Sequence, residues 1–312
     1  MMSSSSTEWE VSSLTVNTGT ADGATDALYA NGRMQVPVYV SISAIDPDKN
    51  VPYSLTEAEL ESIKLVDYYS TSTELSGDWV YSTLENGFAH SGTTSPSLRS
   101  TSQSIKFWVS TSKVEKKNIA ASVKQPDGKI VTTHESGFDY HVTLVGNPPI
   151  NYTTDNITIQ DTKSGDGSSA SYSWSLLNYY ISTNDHDLIK ADLFIEQAES
   201  LFYNSENMVA NLYTASKPSS VYNLLYVWEY GDQATKLLGP LNLLAETPAV
   251  TVNDKKNNLC LTMMNLTYTY VRENEVFIRG NHFTLYDIYG NSGKFKAELT
   301  NEGEVVIHNM QD

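Results

Sequence analysis

The stretch RMQVPVYVSISAI, Arg33 to Ile45, restricts the fold of this 312-residue chain more than any other. Met34, Val36, Val38, Val40, Ile42 and Ala44 recur at every second position, with Arg33, Gln35, Tyr39, Ser41 and Ser43 between them. Side chains alternate across a β-strand, so this rhythm sends apolar groups to one face and polar groups to the other. A helix would scatter the same residues around its circumference. The pattern therefore predicts an extended segment from Leu28 to Asp46, closed by the turn DPDKN. Pro37 falls among the polar-face positions and lacks the N–H that a ladder uses, which predicts a sheet edge or a bulge there.

The same alternation recurs along the chain, broken by turn residues. Before Gly146 it marks DWVYST, QSIKFWVSTS, KNIAASVKQ, KIVTTHE and DYHVTLVG as strands, with QPDGK (Gln125 to Lys129) as a hairpin turn. SLTEAELES changes character: Thr56 is placed to cap a short helix whose first turn is acidic, and SIKLVDYY after it reads as a strand again. GNPPINYTTDN, Gly146 to Asn156, reads as a joint, because Pro148 and Pro149 stiffen a linker and cannot extend a sheet. Beyond it DTKSGDGSSAS is expected to be a flexible or ion-contacting loop. DHDLIKADLFIEQAESLF has mixed spacing and is read as strand. SVYNLLYVWEY, LCLTMMNLTYTYVRE, EVFIRG and HFTLYDIYGNSGKFKAEL are stronger strand candidates, with EVVIHNM closing the chain.

Composition narrows the function classes. The formal net charge of −17 repels phosphate backbones and anionic lipid at long range, so neither nucleic acid nor a membrane surface is an expected partner. No apolar run reaches the length of a membrane-spanning helix. Cys260 is the one cysteine, which rules out an intrachain disulfide and a thiolate cluster; between Leu259 and Leu261 it reads as a small buried hydrophobe. MMSSSSTEWEVSS carries neither the basic nor the apolar region of a secretory signal. The expectation is synthesis in the cytoplasm followed by release or surface assembly, or a signal removed before the first residue.

ADGATDALYANGRMQVPVYVSISAID resembles the opening of bacterial immunoglobulin-like domains of the invasin and intimin type, which lead from an Ala-Asx-Gly turn into an alternating Val-rich strand ending in Asp. The resemblance is specific over the first forty or so residues of a first half of about 150. It implies a β-sandwich used as a spacer or adhesive module, with no catalytic motif. The acidic TEAELES segment departs from that pattern. The fold class is then all-β: two antiparallel β-sandwich (immunoglobulin-like) domains in tandem, residues 1–147 and residues 148–312, the second supplying the interaction surface.

Chemical motifs are sparse. No GxSxG elbow marks a nucleophile, and His90, His134, His141, His186, His282 and His308 show no metal-binding spacing. His134 and His141 straddle a turn and could meet across a hairpin. Asp161 and Asp166 in DTKSGDG, and Asp185 and Asp187 in DHDLIKAD, are candidate calcium ligands, because hard cations take clustered oxygens; AIDPDKN is a third acidic turn. No other cofactor is expected. Trp174, Tyr179, Tyr180 and Trp228 are candidates for a binding surface, since paired aromatics on a strand put one ring on each face. Asn151, Asn156 and Asn265 stand in N-x-Thr sequons, which a chain rich in Asn and Thr produces by chance.

These features point to a non-enzymatic bacterial or phage-associated protein that binds or self-assembles, with a protein or glycan partner. A carbohydrate-binding lectin or a host-targeting toxin component is the alternative, and an acid-dyad glycoside hydrolase is a third reading without a supporting motif. The face assignment is directly testable. Val36→Lys or Val38→Lys is expected to abolish folding, whereas Tyr39→Lys should alter association alone; loss of the circular-dichroism unfolding transition in Tyr39→Lys would contradict it.

Overall fold

Backbone pairing follows the two-residue rhythm through most of the chain. A computed structural model describes residues 8–90, 102–135, 137–196, 207–216, 219–239, 247–269, 276–300 and 302–310. The QAESLF part of the mixed-spacing segment, the YVRE that ends LCLTMMNLTYTYVRE and the Glu275 that opens EVFIRG lie outside them. Two units, Met1–Ile150 and Asn151–Asp312, account for the fold.

In the first unit the strands are β1 Glu10–Thr18, β2 Thr25–Tyr29, β3 Val36–Asp46, β4 Val51–Tyr53, β5 Lys64–Asp67, β6 Ser70–Glu74, β7 Trp79–Ser82, β8 Gln103–Thr111, β9 Lys116–Lys124, β10 Ile130–Thr132, β11 His134–Glu135, β12 Phe138–Asp139 and β13 Val142–Asn147, with helix α1 at Glu57–Glu61. One sheet runs β1-β3-β8-β7 with β4 beside β3; the other runs β2-β13-β9-β5-β6 with β10 beside β9; β11 and β12 form a small ribbon. The two larger sheets meet face to face, β1 on β9 and β13, and β2 on β3 and β8. Val36, Val38 and Val40 point into that interface with 0 % exposure, while Tyr39, Ser41 and Ser43 are half-buried on the opposite face.

Two expectations need correction here. Leu28 to Asp46 is not one strand: Asn31 Oδ1 accepts from the backbone N–H groups of Arg33 and Met34, each at 2.9 Å, and turns the chain between β2 and β3, which belong to different sheets. Nor is β3 an edge strand, since β1 and β8 flank it. Pro37 is tolerated because β1 pairs β3 only as far as Val38, leaving β8 as its sole neighbour at that level. A further departure from an all-antiparallel arrangement is the parallel pairing of β2 with β13.

The acidic segment has a structural role. Thr56 caps α1 through a reciprocal box, its Oγ1 accepting from Glu59 N at 3.3 Å while Glu59 Oε2 accepts from Thr56 N at 2.7 Å. Glu59 also accepts from Trp9 Nε1 at 2.7 Å, and Trp9 stacks on Tyr53, so this carboxylate ties the start of the first unit to the helix. Burial pushes the Glu59 carboxyl up, but hydrogen bonds from Thr56, Trp9 and Tyr53 outweigh it and hold the group below its ordinary value.

The second unit contains β14 Ile157–Ser168, β15 Tyr172–Thr183, β16 Leu188–Ile195, β17 Met208–Ser216, β18 Ser219–Val227, β19 Ala234–Leu237, β20 Ala249–Val252, β21 Leu259–Tyr268, β22 Phe277–Ile278, β23 Asn281–Asp287, β24 Ser292–Leu299 and β25 Val305–Asn309. Its six-stranded sheet runs β14-β15-β21-β18-β17-β22, a four-stranded sheet runs β16-β23-β24-β25, and β19 pairs with β20. β24 packs on β17 and β18, joining the two main layers. Asp287 anchors the smaller sheet: fully buried, it accepts from Tyr152 Oη, Tyr289 N, Asn291 N and Asn291 Nδ2, each at 2.9 Å. Gly293 lies against the same strap, where a Cβ would sit 2.2 Å from Tyr152 O.

Two outcomes follow from these contacts. Asp287→Ala strands several buried donors and should cost about 3 kcal/mol or more in chemical denaturation, since each unsatisfied buried polar group carries its desolvation penalty. Glu59→Gln should destabilise the chain at neutral pH. A carboxyl held low contributes stability present above its unfolded pKa and lost as pH falls through its folded value. The difference in Tm from wild type should therefore shrink as pH drops below the ordinary glutamate range; a pH-independent difference would contradict this role.

Candidate recognition site

The aromatic residues singled out in the second unit divide by burial. Tyr180 and Trp228 are 2 % and 3 % exposed and belong to the core, together with Leu176, Tyr222, Tyr226 and Met264. Their placement as binding-surface residues is therefore corrected. A tyrosine or tryptophan inside a core needs a partner for its polar end, and these find one. Trp228 Nε1 donates to Thr262 Oγ1 at 2.7 Å, Thr262 Oγ1 donates to Asn178 Oδ1 at 2.8 Å, and Asn178 Nδ2 donates to Tyr180 Oη at 3.0 Å. Tyr180 Oη donates in turn to Asp254. Burial and that carboxylate push the Tyr180 phenol up. Cys260, in the same core, has its thiol pushed up to about 11 by burial, the opposite of what a nucleophile requires. Tyr179 and Trp174 are half-buried. The Trp174 ring covers Gly167, where a Cβ would come within 2.6 Å of Cζ2.

That contact explains why the expected loop at Asp161 to Ser171 is mostly strand. Gly165 and Gly167 make room for an indole on the neighbouring strand, and β14 pairs with β15 from Ile157 opposite Thr183 to Ser168 opposite Ser173. Asp161 stands exposed opposite Tyr179, and Asp166 pairs with Lys163 at 2.7 Å. Asp185 and Asp187 are exposed between β15 and β16, on a different segment. Among the described residues no three His, Cys, Asp or Glu side chains converge to hold a metal ion. The third acidic turn binds its own backbone: Asp46 Oδ1 accepts from Asp48 N and Lys49 N, each at 3.1 Å.

His134 and His141 do meet, but around a ring. Their imidazole centroids lie 4.0 and 4.4 Å from that of Tyr68, whose hydroxyl donates to Asp139 Oδ1 at 2.8 Å. The hydrogen bond from Tyr68 is the main cause holding the Asp139 carboxyl below its ordinary value. Beside them Tyr69 is 80 % exposed, its hydroxyl accepting from Asn118 Nδ2 at 2.9 Å. This cluster braces the β11–β12 ribbon against the β5–β6 turn.

A cleft of about 510 Å³ in the second unit brings aliphatic, aromatic, amide and charged side chains together, and its size falls within the range of ligand sites, roughly 300–1,000 Å³. Leu193 and Ile195 of β16 form an aliphatic wall; Glu229, Tyr230, Gly231 and Asp232 come from the loop after β18; Ala234 and Lys236 come from β19; Asn207 and Asn253 complete the lining. The loop is held in place. Tyr230 Oη donates to Leu188 O at 2.8 Å, and Asn253 Nδ2 donates to Glu229 O at 2.9 Å. Asn253 adopts φ of 56°, the left-handed region that asparagine tolerates better than most residues. Its Oδ1 is enclosed and has no hydrogen-bond partner. Glu229, Asp232 and Lys236 are exposed, and among the described residues no ion pair joins them.

Sequence reasoning passed over these residues. The available signal was local: the buried run of β18 breaks off into WEYGDQ, and ND follows β20, so each polar turn begins where a strand ends. Neither turn carries a motif.

No family model matches the chain, and no curated protein matches it. Among solved structures it is similar to the C-terminal domain of the Streptococcus pyogenes antigen I/II-family protein AspA, with TM-score 0.21 and 10 % identity over 95 % of this chain and 97 % of that one. The AgI/II polypeptide BspA C-terminal domain of Streptococcus agalactiae gives TM-score 0.21 and 11 % identity over 96 % and 100 %. The collagen binding domain of the Erysipelothrix rhusiopathiae surface protein RspB gives 0.16 and 11 % over 97 % and 94 %. Similarity at this level carries no argument about function.

Burial separates a core role from a recognition role for the aromatics. Trp228→Ala should cost about 3–5 kcal/mol of stability, as large-to-small changes of a buried indole do. Equilibrium unfolding measures it, and an unchanged midpoint would return Trp228 to the list of surface candidates.

Proposed function

We propose that this chain is a non-enzymatic β-sheet binding protein, structural or adhesive in role, whose second unit recognises its partner through the cleft between β16 and the Glu229–Asp232 loop. The observation that carries this reading is the cleft itself, a cavity of about 510 Å³ with the exposed Glu229 and Asp232 on a hydrogen-bonded loop and the exposed Lys236 on β19. A rigid scaffold presenting a polar loop is a common basis for recognition.

The absence of catalysis in this proposal is supported by where the perturbed groups sit. Tyr81, Tyr152 and Tyr180 have phenols pushed up chiefly by burial, and each donates to a carboxylate that fixes it within the fold: Glu74, Asp287 and Asp254. Those three lie off the cleft, whereas Tyr230 does line it and its phenol is likewise pushed up, by burial and then by Asp187, but its hydroxyl is committed to Leu188 O. Groups tuned for acid–base work are expected to gather where substrate binds. The same reading takes both units as immunoglobulin-like sandwiches, with the first acting as a spacer.

Leu193 and Ile195 supply methyl groups on the cleft wall, so methyl-labelled full-length protein offers a direct test. A mixed fragment library of amines, acids, polyols and short peptides should include members that shift the Leu193 and Ile195 methyl resonances while remaining chemically unchanged. Methyl resonances unmoved by every class would overturn the cleft as a recognition site, and conversion of a fragment would overturn the non-enzymatic assignment.

A further inference from the structure

We infer that the second-unit cleft takes a neutral polyhydroxylated ligand, the pyranose units of an uncharged glycan; this rests on the cleft being a recognition site. The argument is one of hydrogen-bond bookkeeping. Glu229 and Asp232 offer carboxylate oxygens, which only accept. Lys236 offers an ammonium group, which only donates. A ligand filling this cleft must therefore donate to several acceptors and accept from one cation. A hydroxyl does both, and a sugar ring presents several of them.

The competing chemistries fit less well. A bare cation satisfies the two carboxylates but meets Lys236 as a like charge and leaves that donor unanswered. An anion pairs with Lys236 but faces two carboxylates on the lining and −17 on the chain as a whole. A purely apolar ligand takes Glu229, Asp232 and Lys236 out of water without giving any of them a hydrogen-bond partner, a desolvation cost that hydroxyls offset. The remaining surface suits the C–H face of a ring: Leu193 and Ile195 form an aliphatic wall, and the half-buried Tyr230 ring is pinned through its hydroxyl to Leu188 O at 2.8 Å. A ring held in this way loses little freedom when a ligand lies against it.

The test uses the full chain, titrated with neutral methyl pyranosides and their linear oligosaccharides, a uronic acid, arginine amide as a cation, and free serine as a zwitterion. Calorimetry gives the affinity and the Leu193 and Ile195 methyl resonances give the place. The expected result is saturable binding of neutral saccharides that shifts those methyls. That binding should weaken by about tenfold or more in Glu229→Gln, Asp232→Asn and Lys236→Ala, each of which removes one hydrogen bond to a charged group. All three positions are exposed, so the variants are expected to keep the wild-type unfolding midpoint.

Four results would overturn the inference. Arginine amide binding in the cleft and gaining affinity in Lys236→Ala would mark a cation site. Serine or the uronic acid shifting the methyls while neutral saccharides do not would mark a zwitterion or anion site. In both cases the cleft stands as a recognition site and only its ligand class fails. Saccharides that bind without moving the methyls, and with equal affinity for all three variants, would place the sugar elsewhere. Silence of the methyls towards every probe would remove the recognition reading together with the inference.

Discussion

Every buried phenol or indole in this protein has a polar end that must be answered inside the fold, and much of the second unit is organised by that requirement. Its core holds Tyr180, Tyr222, Tyr226 and Trp228 in place of the aliphatic residues that would need no partner. The answers are individual: Asp254 for Tyr180, Thr262 for Trp228, Leu238 O for Tyr226, and Asp287 for Tyr152 on the other sheet. Asn178 links two of them while also donating to Thr251 O at 2.7 Å. Replacing any one donor or acceptor leaves its neighbour stranded in a region of low dielectric, so these networks fix one arrangement of the strands that carry them.

The same rule shapes the cleft. Tyr230 lies just past the buried end of β18, and its hydroxyl reaches Leu188 at the start of β16, which sets the loop against that strand. Asn253, in the turn after β20, uses its amide N–H to hold Glu229 O and leaves its carbonyl over. The geometry is thus a by-product of ordinary satisfaction of polar groups, apart from that one acceptor. That acceptor is closed to solvent, so the polar groups the cleft offers a ligand are the exposed Glu229, Asp232 and Lys236.

How far the sequence discloses this depends on the range of the physics involved. Short-range signals were legible. The alternation in Val36, Val38 and Val40 marks a buried strand face, and Thr56 with Glu59 three residues on forms the cap that their spacing implies. Signals that depend on which strands become neighbours were not. Gly165 and Gly167 suggest a loop by composition, yet they serve Trp174 across a register that only pairing defines. Pro37 suggests an edge, yet it sits in a flanked strand because β1 stops one residue short of it. Tyr179 and Tyr180 do divide between the two faces of β15, but which face is inward depends on the opposing layer. The cleft residues come from four separate stretches of chain, and no local pattern joins them.

The account turns on Glu229, Asp232 and Lys236 acting together on one uncharged, hydroxyl-bearing ligand. The most direct measurement is a crystal structure of the full chain soaked with a neutral oligosaccharide. A pyranose in the cleft, with hydroxyls bridging Lys236 to Glu229 or Asp232, is the predicted result. A sugar-free cleft at saturating saccharide would contradict it.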